Sequence, residues 1–322
     1  MSLCLVAIVT IGVSQVPGAV IYVDGSNTTP PWDGSPQNPY QTIGDAVSAQ
    51  TTVDGDEIRV LAGTYRETVS LTPAGGTDKQ LAIKGWDAGS GELADPADVI
   101  VDGEGTRRCL EIDDVGGSGV SLHALTLREG YTGGYGAAAF VRTSIVTLTG
   151  VAVEDSSAGT GGGGVYVESS SAITLTECTI DGNWTYLGSG GGIYADGSTL
   201  TLTGCTVSSN GPDPGDYFYT YSGGGIYGQS SSDVTLTGCT TSGNESYWGG
   251  AICVQDESSL HVIGCNISDN EAQHAGGGVY CSGSTLGLQG NCTISGNEAA
   301  GGGGIAIAGG NAQVSDCIVR GC

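Results

Sequence analysis

The sequence predicts an all-β protein, a single-domain right-handed single-stranded parallel β-helix (a solenoid) of about ten coils. One observation is a repeat of about 26 residues, whose clearest motif, LTxCTxxGN, occurs at Leu175–Asn183, Leu202–Asn210 and Leu236–Asn244. A second is a glycine-rich motif, such as GGGIYA beginning at Gly190, that alternates with the first. The third is the pattern between the glycines, where short segments rich in Thr, Val, Ile and Leu alternate polar and apolar residues, as strands do.

The first element along the chain, residues 1–19, has the short apolar run of a secretory signal peptide, although it lacks a basic start. We therefore expect a secreted protein, extracellular or at the cell surface, with no transmembrane segment in the mature chain. The β-helix then covers residues 20–322. Residues 20–70 form its N-terminal cap and first coil, and residues 120–322 form the regular coils.

The segment Tyr22–Glu67 contains the strings YVDG, TIGDAV and GDEIRVLAGTYRE in that order. It resembles the N-terminal cap of pectin-lyase-like right-handed parallel β-helix proteins. The later repeats resemble those of polymorphic outer-membrane and surface β-helix proteins. The resemblance implies a short helix at about Tyr40–Ala49 that covers the open end of the first coil. It does not imply one function, because this fold occurs in lyases, hydrolases, adhesins and structural proteins.

No C-terminal cap is recognisable before Cys322. We expect either a fragment or an open end that meets a partner or another copy of the chain.

Stacking places equivalent residues of successive coils about 4.8 Å apart, so each inward position forms an apolar column. One predicted column is Leu148, Leu175, Leu202, Leu236, Val262, Leu288 and Val314. A second column is expected to form a structural amide ladder at a turn: Asn183, Asn210, Asn244, Asn270 and Asn297. A third is expected to contain small buried thiols: Cys178, Cys205, Cys239, Cys265 and Cys292. Disulfides are expected, if anywhere, at Cys317/Cys322 and Cys253/Cys281.

The charge distribution limits the function. The net charge is −25, and no Lys or Arg occurs between residues 143 and 319. Nucleic-acid binding by the repeats is thereby excluded, because phosphate contacts need cations. An acidic surface suits a soluble extracellular protein, or one that binds Ca²⁺, for which Glu168 and Asp196 on adjacent coils are the candidate ligands.

Aromatic residues concentrate at one edge of the predicted solenoid. Several lie between an Asn and the next glycine triplet, where residues 211–220 form an insertion, and others form an outward column on the following strand. An exposed row of rings beside carboxylates suits a polysaccharide, because sugar C–H faces pack on rings and carboxylates accept hydroxyl hydrogen bonds. The alternative is that the rings only stabilise the coils. The candidate carbohydrate-binding residues are Tyr166, Trp184, Tyr186, Tyr194, Tyr217, Tyr219, Tyr227, Tyr247 and Trp248.

Catalysis is the alternative function. A glycoside hydrolase needs two carboxylates on one face, for which Asp213, Asp216 and Glu245 are candidates. A pectate-lyase-like lyase needs a base, and the cations that could serve lie in the first coils: Lys84, Arg107, Arg108, Arg128 and Arg142. No specific catalytic motif is present, so the sequence favours a non-catalytic protein that binds polysaccharide or a cell-surface glycan.

Overall fold

The computed structural model describes residues 18–73, 79–213 and 221–322. They form a parallel β-solenoid in which ten strands of one sheet stack along the axis, so about nine turns separate the first strand from the last. The prediction of an all-β solenoid is confirmed. The predicted signal peptide lies outside the described residues except for positions 18 and 19. None of the helices in the described ranges is long and apolar enough to span a membrane.

Among the described residues the largest sheet contains 19 strands, two in each regular coil except the last two, where one long strand replaces the pair. Its strands are Val20–Val23, Glu57–Leu61, Val69–Leu71, Ala82–Asp87, Glu92–Leu93, Leu110–Asp113, Val120–His123, Ala139–Arg142, Ile145–Thr149, Val165–Glu168, Ala172–Thr176, Ile193–Asp196, Thr199–Thr203, Ile226–Gln229, Asp233–Thr237, Ile252–Gln255, Ser259–Ile263, Val279–Gln289 and Ile305–Val314. All neighbours pair in parallel except Glu92–Leu93, which forms an antiparallel hairpin with Ala82–Asp87.

Three smaller sheets complete the solenoid. The ten-stranded sheet contains Gly63–Tyr65, Val99–Asp102, Thr126–Arg128, Ala152–Glu154, Thr179–Asp181, Thr206–Ser208, Thr240–Ser242, Asn266–Ser268, Thr293–Ser295 and Ile318–Arg320. A four-stranded sheet contains Tyr131–Thr132, Ser157–Ala158, Trp184–Thr185 and Gly211–Pro212. A three-stranded sheet contains Glu245–Trp248, Glu271–Ala275 and Glu298–Gly301.

The N-terminal cap contains a helix at Ile43–Ser48, shorter than the predicted Tyr40–Ala49. Thr42 caps it, because its hydroxyl accepts a hydrogen bond from the Asp45 N–H. Glu67, at the end of the sequence string that predicted the cap, accepts hydrogen bonds from the Ile43 and Gly44 N–H groups, both at 2.8 Å. The first full coil therefore holds the cap helix in place. A 3-10 helix at Pro96–Asp98 precedes the regular coils.

The predicted inward column is in register along the solenoid: Leu148 pairs with Leu175, and the pairing continues through Leu202, Leu236, Val262 and Leu288 to Val314. The members from Leu148 to Leu288 are buried. The glycine triplets let successive coils approach closely. At Gly191, for example, an added Cβ would lie 2.4 Å from the Gly211 nitrogen of the next coil.

Two buried polar ladders run beside the apolar core. In the amide ladder, the Nδ2 of Asn183, Asn210, Asn244 and Asn270 donates to the Oδ1 of the next asparagine at 2.9–3.0 Å. The second ladder consists of serines and was not predicted: the N–H of Ser144, Ser198, Ser232 and Ser258 donates to the hydroxyl of the serine one coil later. Each ladder supplies hydrogen-bond partners to buried turn backbone.

The ten cysteines in the described ranges are all unpaired. Those of the predicted column are buried, and their thiols donate to the backbone, as Cys178 does to the Thr176 carbonyl at 3.4 Å. Neither suggested disulfide is present. Cys253 lies on the outward face with the tyrosines, whereas Cys281 lies in the apolar core, so the two side chains occupy opposite faces of neighbouring strands.

Candidate functional site

The candidate site is the edge formed by the three- and four-stranded sheets. Between the asparagine of a coil and the next glycine triplet, the structure contains short strands, such as Trp184–Thr185 and Glu245–Trp248. They form because the backbone stays extended after the buried asparagine and pairs with the same segment of the next coil. The edge is therefore an ordered surface whose side chains repeat from coil to coil.

The outward column of aromatic residues on the strand after each glycine triplet was predicted to be exposed. This prediction is wrong for Tyr166, Tyr194 and Tyr227. The exposed fractions of Tyr166, Tyr194 and Tyr227 are 2%, 7% and 4%. Alternation does place them on the outward face, but their rings pack on one another, with 5.0 Å between the Tyr166 and Tyr194 centroids and 4.8 Å between those of Tyr194 and Tyr227. The glycine-rich turns press against them, since a Cβ added at Gly161 would lie 2.6 Å from the Tyr194 ring. These three rings form a second, aromatic core.

The aromatic residues that remain accessible lie on the edge itself. Trp184 and Tyr186 are half-buried, and Leu187 beside them is 69% exposed. Trp184 pairs in register with Ser157 on the preceding coil and with Gly211 on the next. Its Nε1 atom is buried, and no hydrogen-bond acceptor among the described residues reaches it. Tyr217 and Tyr219 lie outside the described residues.

A second group of rings, which we name the Trp248 patch, contains Tyr247, Trp248, His274 and Tyr280. The Trp248 centroid lies 3.8 Å from that of His274 and 4.7 Å from that of Tyr280. His274 is exposed, and the other three rings are half-buried. The patch spans two coils. Two of its residues, His274 and Tyr280, were not among the predicted site residues, although His274 lies between Asn270 and the next glycine triplet, the segment in which other aromatic residues were predicted to bind.

Carboxylates accompany the rings. Glu245, Glu271 and Glu298 occupy equivalent positions on successive coils, and all three are exposed. Of the hydrolase candidates, Glu245 belongs to this column and Asp213 is half-buried on the preceding coil. Asp216 lies outside the described residues.

The candidate calcium ligands Glu168 and Asp196 do pair in register on adjacent coils. The Tyr166 hydroxyl lies between them, 3.2 Å from Glu168 Oε2 and 3.4 Å from Asp196 Oδ2. Burial and these two carboxylates raise the pKa of Tyr166, so it stays a neutral donor. In residues 18–73, 79–213 and 221–322 no group of three or more His, Cys, Asp and Glu side chains is close enough to hold a metal ion.

The cations considered for lyase chemistry all have anionic partners. Arg128 binds Asp102 at 2.9 Å, Arg142 binds Asp113, and Arg107 binds Glu104 at 2.5 Å. Arg108 contacts Glu111 at 3.5 Å, and its guanidinium lies 4.8 Å from the Phe140 ring centroid. Each of these cations therefore has a carboxylate neighbour on the wall of the solenoid.

Lys84 belongs to a polar cluster that the sequence did not reveal. The Glu57 carboxylate bridges Lys84 Nζ and Arg59 Nε, both at 2.6 Å. His123 follows Lys84 in register on the next coil, where burial and the Lys84 ammonium lower its pKa. These first coils lack the regular repeat, so no spacing in the sequence indicates which residues meet.

The comparisons with known proteins agree with this architecture. The family model described as "Right handed beta helix region" matches residues 110–219 and 164–322, more than half of the chain. The chain belongs to the right-handed β-helix family. Its fold is the right-handed parallel β-helix that the repeats had predicted. No curated protein is detectably similar to it in sequence.

Among solved structures, the pectate lyase Pel9A is 11% identical to this β-helix protein, with a TM-score of 0.45, over 94% of this chain and 79% of the lyase. A pectin methylesterase from carrot is 13% identical, with a TM-score of 0.35, over 95% and 90%. A GH136 lacto-N-biosidase from Eubacterium ramulus is 12% identical, with a TM-score of 0.29, over 95% and 68%. Likeness at these levels concerns the fold alone.

Proposed function

We propose that the chain is a secreted or cell-surface β-helix protein that binds polysaccharide along its aromatic edge without cleaving it. The observation that carries the proposal is the Trp248 patch, where accessible rings of two consecutive coils lie beside a row of exposed carboxylates. Rings offer flat apolar faces to sugar C–H groups, and carboxylates accept hydrogen bonds from hydroxyls. An elongated ligand is favoured, because the same pair of features recurs along the axis.

The burial of the central tyrosines narrows the proposed surface. Tyr166, Tyr194 and Tyr227 are covered, so a ligand meets the rings of the edge strands instead. The surface that remains comprises Trp184 and Tyr186 on one coil and the Trp248 patch further along the axis. We expect the ligand to run parallel to the solenoid axis and to cross several coils.

The absence of cleavage is proposed because the cations of the first coils are engaged by carboxylates. A lyase base must be available to abstract a proton, whereas Lys84 is held by Glu57 and Arg128 by Asp102. Export is proposed because residues 1–19 have the pattern of a signal peptide and because the acidic surface suits an extracellular protein.

The test is a polysaccharide panel incubated with the purified chain and examined for retention, for new reducing ends and for unsaturated uronate. We expect retention without products. Trp248→Ala should weaken retention about two- to tenfold, the range that corresponds to one aromatic contact of about 0.5–1.5 kcal/mol. Trp32→Ala is the matched control, since Trp32 is 39% exposed but lies in the N-terminal cap. Products would overturn the non-catalytic proposal, and no retention on any glycan would overturn the binding proposal.

A further inference from the structure

The column Glu245, Glu271 and Glu298 stacks three like charges on successive coils. The three residues are in register on successive coils, so their backbones lie about 4.8 Å apart. Carboxylates at this spacing repel one another, and no Lys or Arg occurs between residues 143 and 319 to offset them. The column therefore keeps an uncompensated line of negative charge on an exposed edge.

The shape of this charge favours a polymer over an ion. A calcium ion is coordinated by about six to eight oxygen ligands that surround it. The three carboxylates instead lie along a line, and among the described residues no cluster of three or more His, Cys, Asp and Glu side chains converges enough to hold a metal ion. A line of equally spaced anions is complementary to a chain that carries one cation per repeat unit.

The rings sit on the same strands as the carboxylates. Glu245 and Trp248 belong to the strand Glu245–Trp248, and Glu271 and His274 belong to the strand Glu271–Ala275. Each of these coils therefore offers one carboxylate and one accessible ring, and the next coil repeats the pair at the spacing between strands. A pyranose unit of an extended glycan occupies a similar length, so one sugar fits each coil.

Resting on the proposed function, we infer that the ligand of this edge is a cationic glycan, a chain of glucosamine units with free amino groups. Each ammonium donates charge-assisted hydrogen bonds to a carboxylate of the column, while the sugar C–H face packs on a ring of the Trp248 patch. Uronate polymers carry the opposite charge and are repelled by the same column.

The test compares three hexasaccharides by calorimetry at low ionic strength: glucosamine, N-acetylglucosamine and galacturonate. We expect the glucosamine hexamer to bind at least tenfold more tightly than the acetylated hexamer, and the galacturonate hexamer not to bind. Added salt should weaken only the glucosamine complex, because salt screens exposed charges. The triple variant E245Q/E271Q/E298Q should bind both glucosamine-based hexamers equally.

The control is E92Q/E177Q/E257Q, which makes the same chemical change at three exposed glutamates away from the edge. If it weakens glucosamine binding as much as the edge variant does, the net charge of the chain is responsible and the inference fails. Equal binding of the amino and acetylated hexamers, or binding of galacturonate, also overturns the inference while leaving polysaccharide binding intact. If no hexamer binds and the polysaccharide panel is also negative, both the inference and the proposed function fail.

Discussion

Replacing Asn244 by alanine should destabilise the solenoid more than any surface change. The Asn244 side chain is fully buried in the amide ladder. Its Oδ1 accepts from the Asn210 N–H at 3.1 Å and from Asn210 Nδ2 at 3.0 Å. Its Nδ2 donates to the Val207 carbonyl at 2.9 Å and to Asn270 Oδ1 at 2.9 Å. One side chain thus joins three coils.

The expected loss follows from the groups that the substitution leaves behind. Asn210 Nδ2 keeps its bonds to the Ile180 and Ser208 carbonyls, and Asn270 Oδ1 keeps the Asn244 N–H. The buried Asn210 N–H loses its partner, whereas the Val207 carbonyl loses one donor but stays in the ladder between Thr206–Ser208 and Thr240–Ser242. A buried polar group without a partner costs about 1–3 kcal/mol, so we expect a loss of about 1–3 kcal/mol in the free energy of unfolding.

The assay is urea denaturation followed by circular dichroism, together with amide exchange at Asn210, whose N–H should lose protection. Asn266→Ala is the control, because Asn266 is exposed on the ten-stranded sheet of the neighbouring coil and surface changes cost less than about 0.5 kcal/mol. If the two variants unfold at the same urea concentration with the same slope, the ladder adds nothing to stability, and the reasoning from buried hydrogen bonds is refuted.

Three further outcomes follow from the described contacts. Tyr194→Ala should lower the free energy of unfolding by about 3–5 kcal/mol, as the truncation of a large aromatic residue in a core does. A melting temperature equal to that of the unmodified chain would show that the stacked tyrosines do not form a core. Burial and the Lys84 ammonium lower the pKa of His123, so below about pH 6.5 the unfolded chain binds a proton that the folded chain does not, and the free energy of unfolding should fall as the pH drops. In urea titrations at several pH values, His123→Gln should reduce this dependence of stability on pH. An unchanged pH dependence in the variant would contradict the assignment to His123. Among the cysteines of the described residues, a maleimide should label only Cys317 and Cys322 in the native chain, as mass spectrometry can check, and rapid labelling of others would show that the core opens.

The sequence was sufficient to predict the fold because stacking repeats one local rule. Inward Leu positions recur at the coil period, and parallel pairing keeps Leu148, Leu175 and Leu202 in register. The same period could have revealed the serine ladder, since Ser144, Ser171 and Ser198 are evenly spaced in the sequence. Ser is common in turns for several reasons, so its spacing alone did not separate a buried ladder from a solvated turn.

The candidate site was predicted less well because alternation identifies a face and not what covers it. Tyr166 and Tyr194 point outward from their strands, yet neighbouring rings and glycine turns bury them. The strands that carry them are buried on both faces, which no period-two pattern in an apolar run can indicate. The Glu57 and Lys84 pair was missed for another reason: Lys84 pairs with Arg59, 25 residues earlier, and with His123, 39 residues later, so the first coils have no constant period from which a column could be predicted.

Stacking also explains why one polar column is buried and another is exposed. An amide is both donor and acceptor, so each asparagine from Asn183 to Asn270 can satisfy the next one, and the column is stable away from water. A carboxylate only accepts, so a column such as Glu245, Glu271 and Glu298 can neither satisfy itself nor lose its charge at low cost, and it must stay at the surface. A repeat that carries Asn and, one residue later, Glu therefore builds a rigid buried ladder directly beneath a line of unpaired acceptors. The rigidity matters for binding, because a ligand that spans several coils finds its partners already at fixed spacing and does not have to order them.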